Sequence, residues 1–341
     1  MLFTYKVEPF QPQDAAGVSH LFNQVYGDGY PVKTVYNPQE IISAYMQGGY
    51  FPFVVRSSAT SVIAFGALYH SAPHQGIYEF GQGVVSPEYR SAGLGRMLFE
   101  YVEQYLPTLP GAELYFGEAV CNHTHTQKAG ALIKTIETGM EIDLLPGNAY
   151  GDTSQSHNRV AVVDMFRTYV PSPHALYIPE RYEQIVRFIY DGFDDSRTLL
   201  FSDNAPAENH STQLSSRVFE FAQVARIGAP VIGPDFEEKL AAEEMALADR
   251  PLRVKQLWLP LAQPGSAAAV ETLHQRGYFF GGIFPRWFGE DALLMQHING
   301  QPEWDSIHLY SERSVEIYRH ILADWQSACN EAPAQRGMQN G

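Results

Sequence analysis

The chain predicts a mixed α/β (α+β) fold, and three observations carry that expectation. A β-forming run, Ile77 to Val85, stops at Pro87, and a turn carrying Arg90, Gly93 and Gly95 follows it. Beyond the turn, Met97, Leu98, Tyr101, Val102, Tyr105 and Leu106 recur at helical spacing. Strand-like and helix-like stretches alternate in this way through the first half, and part of the theme returns in the second.

The elements follow in order. Phe3 to Val7 reads as a first strand, and Gln13 to Val25 places Ala16, Val18, Leu21, Phe22 and Val25 on one helical face. Asn37–Met46 opens a second helix with Asn37 as N-cap and Pro38 at the first helical position. Phe51–Arg56, Val62–His70 and Ile77–Val85 are three strands, with turn residues such as Ser71-Ala72-Pro73 between them. After the glycine turn and its helix come a strand at Glu113–Val120 and a short helix at Gln127–Lys134. Ile136–Leu145 and Arg159–Val170 close this half as a strand pair around a polar loop, Pro146–Asn158.

Pro171-Ser172-Pro173 and Pro179 predict a linker over 171–179, because proline stops both ladders and helices. In the second half Val254–Leu259 is a strand and Ser266–Gln275 a helix. The run from Gly277 to Pro285, leading into Asp291–Ile298, parallels the run from Gly139 to Pro146 leading into Arg159–Val170. Arg226-Ile227-Gly228-Ala229-Pro230 is the nearest second-half counterpart to the glycine turn, but its spacing is wrong and it contains a proline. Ser311–Gln326 is a final helix with a packing stripe of Val315, Tyr318, Leu322 and Trp325.

Composition bounds the function. The 341 residues exceed the usual single-core size, so two domains are expected. A hydrophobic content of 45% argues against disorder. Net charge is −15, with both halves acidic, so neither offers the basic face that nucleic acid requires. Apolar runs are too short for a membrane span, the start lacks a signal-peptide pattern, and two cysteines give no disulfide framework. A reducing cytoplasm is the expected location.

A strand, glycine turn and helix start present unpaired N–H groups and a positive helix end to phosphate. Gly93 and Gly95 remove the Cβ atoms that would block the approach, and Arg90 and Arg96 add charge-assisted bonds. The form Arg-x-x-Gly-x-Gly is not a Walker loop. Nor is it a full Gly-x-Gly-x-x-Gly, since Leu98 stands at the third glycine.

With Val85 and Pro87 ahead of it, this composite resembles the acyl-CoA pyrophosphate loop of the GNAT N-acetyltransferases. The resemblance covers about residues 2–170 and implies a mixed, mostly antiparallel central sheet flanked by helices. It implies acetyl-CoA as donor, held by the loop residues Arg90, Ser91, Ala92, Gly93, Leu94, Gly95 and Arg96. The strand residues Gly83, Val84 and Val85 would pair with the pantetheine arm, in a cleft where this strand splays from the next. Asn122 would bind the arm and Thr126 the arm or phosphate. Glu79 lies 11 residues before Arg90, where one branch of the family places its catalytic glutamate. Glu118 and then His123 are the further candidates for base. The family's usual acid, a tyrosine, is missing between Phe116 and Tyr150, leaving His123, His125 or Cys121 to substitute.

His123-x-His125 lacks companions for a metal set, so no metal is expected. The chain further resembles tandem GNAT proteins. In that reading residues 1–170 bind acetyl-CoA and 180–308 form a degenerate, duplicated copy. A C-terminal helix over 309–330 and a flexible tail over 331–341 follow. The expected function is direct acetyl transfer to the amine of a small-molecule or peptide acceptor, by a protein that forms no nucleic-acid or membrane complex and is compatible with a homodimer. The rival from another class is a non-catalytic acyl-CoA sensor.

Overall fold

The computed structural model describes residues 5–58, 61–147, 159–201 and 210–331. The first half runs β1 (Val7–Pro9), α1 (Ala15–Tyr26), α2 (Pro38–Gln47), β2 (Tyr50–Ser58), β3 (Ser61–Tyr69) and β4 (Ile77–Val85). It continues through α3 (Leu94–Tyr105), β5 (Leu114–Val120), α4 (His125–Leu132), β6 (Ile136–Pro146) and β7 (Arg159–Thr168). Helix α2 begins as expected, with the Asn37 side chain accepting the Gln39 N–H at 3.0 Å and Pro38 at the first position. The first strand lies at Val7–Pro9, later than expected, and residues 1–4 are outside the described residues.

The second half contains β8 (His174–Ile178), α5 (Glu183–Tyr190), β9 (Arg197–Phe201), β10 (Gln213–Phe219), β11 (Val224–Val231) and α6 (Phe236–Ala246). Then come β12 (Val254–Pro260), α7 (Ser266–Gln275), β13 (Phe279–Phe284), β14 (Ala292–Ile298) and α8 (Glu312–Glu331). Three expectations are corrected here. Residues 171–179 hold β8, which pairs in parallel with β9, while Tyr177 N–H bonds to Leu261 O at 2.7 Å. The prolines at 171, 173 and 179 flank this strand and so cost it no ladder bond. Arg226 to Pro230 lies inside β11, not in a turn. On α8 the most buried positions are Ser314, Ile317, Ile321, Asp324 and Ala328, about one residue away from the expected stripe. Asp324 draws that face inward, accepting from Tyr182 Oη (2.8 Å) and Phe280 N (2.7 Å). The loop residues 148–158 and the tail residues 332–341 lie outside the described residues.

Among the described residues, twelve strands form one mixed, mostly antiparallel sheet in the order β1-β2-β3-β4-β5-β7-β6-β13-β14-β12-β11-β10. Helices α1 and α2 cover one face of the first half through Val18, Phe22 and Ile41, packed against Val54 and Phe65. On the other face α3 buries Leu94, Leu98 and Val102 against Phe53, Leu68 and Tyr115. No helix of the described residues is long and apolar enough to cross a membrane.

The pairing senses repeat. Strands β3-β4-β5-β7-β6 run antiparallel, parallel, antiparallel, antiparallel, and β10-β11-β12-β14-β13 do the same. The rungs correspond as well. Ile77↔Leu114 and Val224↔Val254 each open a parallel ladder, so Glu79 and Arg226 both stand on the third rung. By the same count Glu118 corresponds to Trp258 on the next strand. Gly139 pairs with Asp164 and Gly282 with Leu294, and these two glycines pair with each other where β6 meets β13. A Cβ on Gly139 would lie 2.6 Å from Gly281 O and 2.7 Å from Gly282 Cα, so only glycine allows this approach. An apolar seam including Ile77, Phe116, Phe166, Trp258, Phe284 and Trp287 joins the halves beside it.

Candidate active site

The site begins where β4 and β5 separate. They pair over Ile77↔Leu114, Tyr78↔Tyr115 and Glu79↔Phe116, and no further. Past Glu79 an extra residue bulges from β4, since its register with β3 moves from Gly81↔Ala67 to Val84↔Phe65. Gln82 in the bulge has φ 57°, and its side-chain oxygen accepts from Tyr50 Oη at 2.6 Å. The parting strands leave Gly83 to Val85 without β5 partners, as expected of a cleft for an extended arm.

At the open end, Pro87–Ala92 form a tight helical turn and Gly93 enters the left-handed region (φ 74°, ψ 13°) to start α3. A Cβ built on Gly93 or Gly95 would meet no atom within 4 Å, so the turn borders open space. Ser91 and Ala92 are exposed, and Arg90 is exposed with no ion-pair partner among the described residues. Arg96 donates to Glu100 at 2.6 Å, and Leu94 is buried in the core, so Leu94 offers only its backbone. Beyond β5, Asn122 leaves a buried Oδ1 without a donor among the described residues, and Thr126 lies in the first turn of α4. These residues fit an acyl-CoA diphosphate and arm: an N-terminal helix turn free of Cβ obstruction, a free guanidinium and an unpaired amide acceptor.

Glu79 stands on the last rung before the cleft, where Tyr69 Oη donates to it at 2.7 Å. Burial, then the nearby Glu118 carboxylate, pushes its pKa up to about 7, against the lowering effect of bonds from Ser71 and Tyr69. Glu118 is paired with Arg226, whose Nη2 donates to Glu118 at 3.0 Å and to Glu141 at 3.1 Å. Gln256 bonds both Arg226 and Glu141. Burial also raises Glu141, despite Arg226, and it raises Asp164, whose two oxygens meet no donor among the described residues and which lies close to Glu141 and Glu118. Four carboxyl groups from β4, β5, β6 and β7 thus surround one arginine from β11.

His123 is not brought to this group. It lies beyond the end of β5, stacked edge-on with His125 at 5.0 Å, and burial lowers its pKa. Cys121 is buried, and desolvation pushes its thiol far above the ordinary range. The turn before α6, the second-half counterpart of the glycine turn, is occupied by its own chain. Gln263 accepts the Ile232 N–H and Thr212 the Gly233 N–H, both at 2.9 Å, while Asp235 accepts the Thr212 N–H at 2.7 Å. The groups that would greet an anion there are already bonded, and a carboxylate sits beside them.

A cavity of about 680 Å³ opens between the halves, bounded by Ser71 and His74 on one side and by Arg217, Arg226, Trp258 and Trp287 on the other. Tyr69, Arg226, Glu141, Asp164 and Trp258 were not singled out as site residues from the sequence. Only long-range strand pairing assembles them, although the recurrence of the Gly139 pattern at Gly277–Pro285 was a signal that a second strand set lay opposite the first.

Residues 16–128 match the family model described as Acetyltransferase (GNAT) family. No curated protein is significantly similar to the chain. Similar solved structures include the ribosomal-protein-S18-alanine N-acetyltransferase from Escherichia coli. That likeness has 16% identity and a TM-score of 0.39, covering 50% of this chain and 96% of the other. A spermidine/spermine N-acetyltransferase from Vibrio cholerae is also similar, at 14% identity and a TM-score of 0.38, over 48% of this chain and 95% of the other. Residues 16–128 therefore carry a GNAT acetyltransferase domain, and the family match supports acyltransferase activity. It lends nothing to the non-catalytic sensor.

Proposed function

We propose that the chain is an acetyl-CoA-dependent N-acetyltransferase that carries an acetyl group to an amine acceptor in a ternary complex. Residues 1–170 act as the donor-binding domain and 180–308 as a degenerate copy of it, with 171–179 between them and a C-terminal helix over 309–330. The matching pairing senses and rungs of β10–β14 support the duplication. The occupied turn before α6 supports the degeneracy. The observation that carries the functional reading is the position of Glu79 on the last shared rung of β4 and β5, where the cleft begins.

Acetyl-CoA, bound along Gly83–Val85 and the turn at Arg90–Arg96 with Asn122 and Thr126 on the far wall, supplies an activated acyl thioester. The chain's own task is deprotonation. An alkylammonium with pKa near 10 is almost wholly protonated at neutral pH and is no nucleophile until it loses a proton. Glu79, held near pKa 7 by burial and a neighbouring carboxylate, is ionised often enough to take that proton and basic enough to hold it. Glu118 is tied to Arg226, and the backbone near Val84 is the donor available to a developing oxyanion.

Thiol release from acetyl-CoA with a panel of amines is the test. Steady turnover with at least one amine is expected. Tight acetyl-CoA binding with no turnover on any amine overturns the catalytic reading.

A further inference from the structure

Arg226 belongs to the second half, yet among the described residues its ion pairs are with the first. Its Nη2 meets Glu118 of β5 at 3.0 Å and Glu141 of β6 at 3.1 Å. The guanidinium has little freedom to aim elsewhere. Its Nε donates to Gln256 of β12 at 3.1 Å, and Gln256 in turn donates to Glu141. The Phe219 and Trp258 rings lie under it at 5.6 and 5.7 Å. Arg217, its partner across β10, is exposed.

The register shows what that aim does. Glu79 pairs with Phe116, and Glu118 is the next residue of β5 on the same face, one step along the parting strands. Unpaired, Glu118 would be a second carboxylate at the start of the cleft, and an incoming ammonium would have two places to leave its proton. Glu141 and Asp164, from β6 and β7, are fully buried and meet no amine there. Tyr69 of β3 donates to Glu79 at 2.7 Å, and His74 of the β3–β4 loop is engaged with Glu113 at 3.0 Å. We propose that Arg226 is a positioning residue for the transfer reaction: it holds Glu118 in an ion pair and so leaves Glu79 as the carboxylate that takes the proton. The second half, with its own turn closed to phosphate, thereby contributes one fixed cation to the first. Burial, then Glu118, raises the Glu79 carboxyl, and Arg226 acts in the opposite sense.

This role rests on the reading of Glu79 as the base, and two readouts on the full chain keep the two apart. One is the pH profile of kcat/KM with acetyl-CoA and an alkylamine. The other is an NMR titration of the isotope-labelled Glu79 carboxyl without donor, its signal assigned by its loss in Glu79→Gln. Arg226→Met should move both midpoints up by about one pH unit, the lower range for loss of a nearby opposite charge. The rate at pH 6 then falls about tenfold while the high-pH plateau stays within a few-fold. Arg226→Lys, which keeps the charge, should recover at least half of that shift. Glu118→Gln removes the neighbouring carboxylate and should move both midpoints down, which keeps the test open if Arg226→Met fails to fold. Midpoints unmoved by Arg226→Met or by Glu118→Gln, with or without a fall in rate, overturn the assignment and leave Arg226 a strut between the halves. A Glu79 carboxyl that shifts as expected in a protein that acetylates no amine supports the hold on Glu118 while overturning the transferase reading.

Discussion

Replacing Glu79 by glutamine probes the mechanism most directly, because the amide keeps the shape and the bond from Tyr69 but cannot accept a proton. With the wild-type group titrating near pH 7, about 9% is ionised at pH 6 and about 91% at pH 8, so kcat/KM for an alkylamine should rise about tenfold across that interval from this group alone. In Glu79→Gln that limb should vanish and the plateau should fall by roughly 10²- to 10⁴-fold, the usual contribution of a general base. Acetyl-CoA affinity, measured by calorimetry, should not change. Tyr69→Phe supplies the sign control: Tyr69 donates to the carboxylate and favours its ionised form, so its removal should move the limb to higher pH. A Glu79→Gln enzyme with both rate and pH profile intact refutes the assignment and passes the role to Glu118.

Further outcomes follow from the same geometry. Gly95→Val places a Cβ where no atom of the described residues lies within 4 Å, so the fold should persist while acetyl-CoA affinity falls at least tenfold by calorimetry; unchanged affinity sinks the loop assignment. Asp164 holds its proton in the folded state far above the pH at which it ionises when unfolded, so this group's stabilising effect is lost as pH rises. Asp164→Asn, which cannot ionise, should therefore gain on the wild type as pH rises above the range where the unfolded carboxyl ionises, by up to about 1.4 kcal/mol per pH unit in denaturant titrations, and a pH-independent difference contradicts the buried, protonated state. Gly139→Val meets backbone rather than a yielding side chain, so a loss of roughly 3 kcal/mol, the upper range for overpacking, should appear in thermal unfolding; an unchanged midpoint would mean that the β6–β13 approach is looser than described.

The first half was legible because its signals are local. Pro87 ends a strand of nine residues whose bounds, Ile77–Val85, were readable to the residue, and Asn37-Pro38 marks a helix start by chemistry that acts over three positions. Glu79 was found by its spacing from Arg90 along one strand and its turn. Strand β10 was missed because Gln213-Leu-Ser-Ser-Arg-Val-Phe219 is a largely exposed edge with little apolar alternation. Helix α6 was missed because Glu, Lys and Ala dominate it, and it buries only Phe236 and Leu240. Proline misled at 171–179, where the residues between the prolines still form a strand. The arginine facing Glu118 was beyond reach for another reason: Arg226 bonds it across 108 positions of sequence, and no local pattern encodes such a pairing.

The third rungs of the two parallel ladders carry opposite charges, Glu79 on one and Arg226 on the other. Two identical protomers around a dyad have no such freedom: whatever residue occupies that rung in one must occupy it in the other, so glutamate would confront glutamate. Writing both strand sets into a single chain lifts that restriction. One side is free to keep the proton acceptor while its counterpart becomes the cation that restrains the surrounding carboxylates. The covalent link thus supplies an asymmetry of charge that a symmetric assembly of the same strands is forbidden, and it does so without altering the ladder on either side.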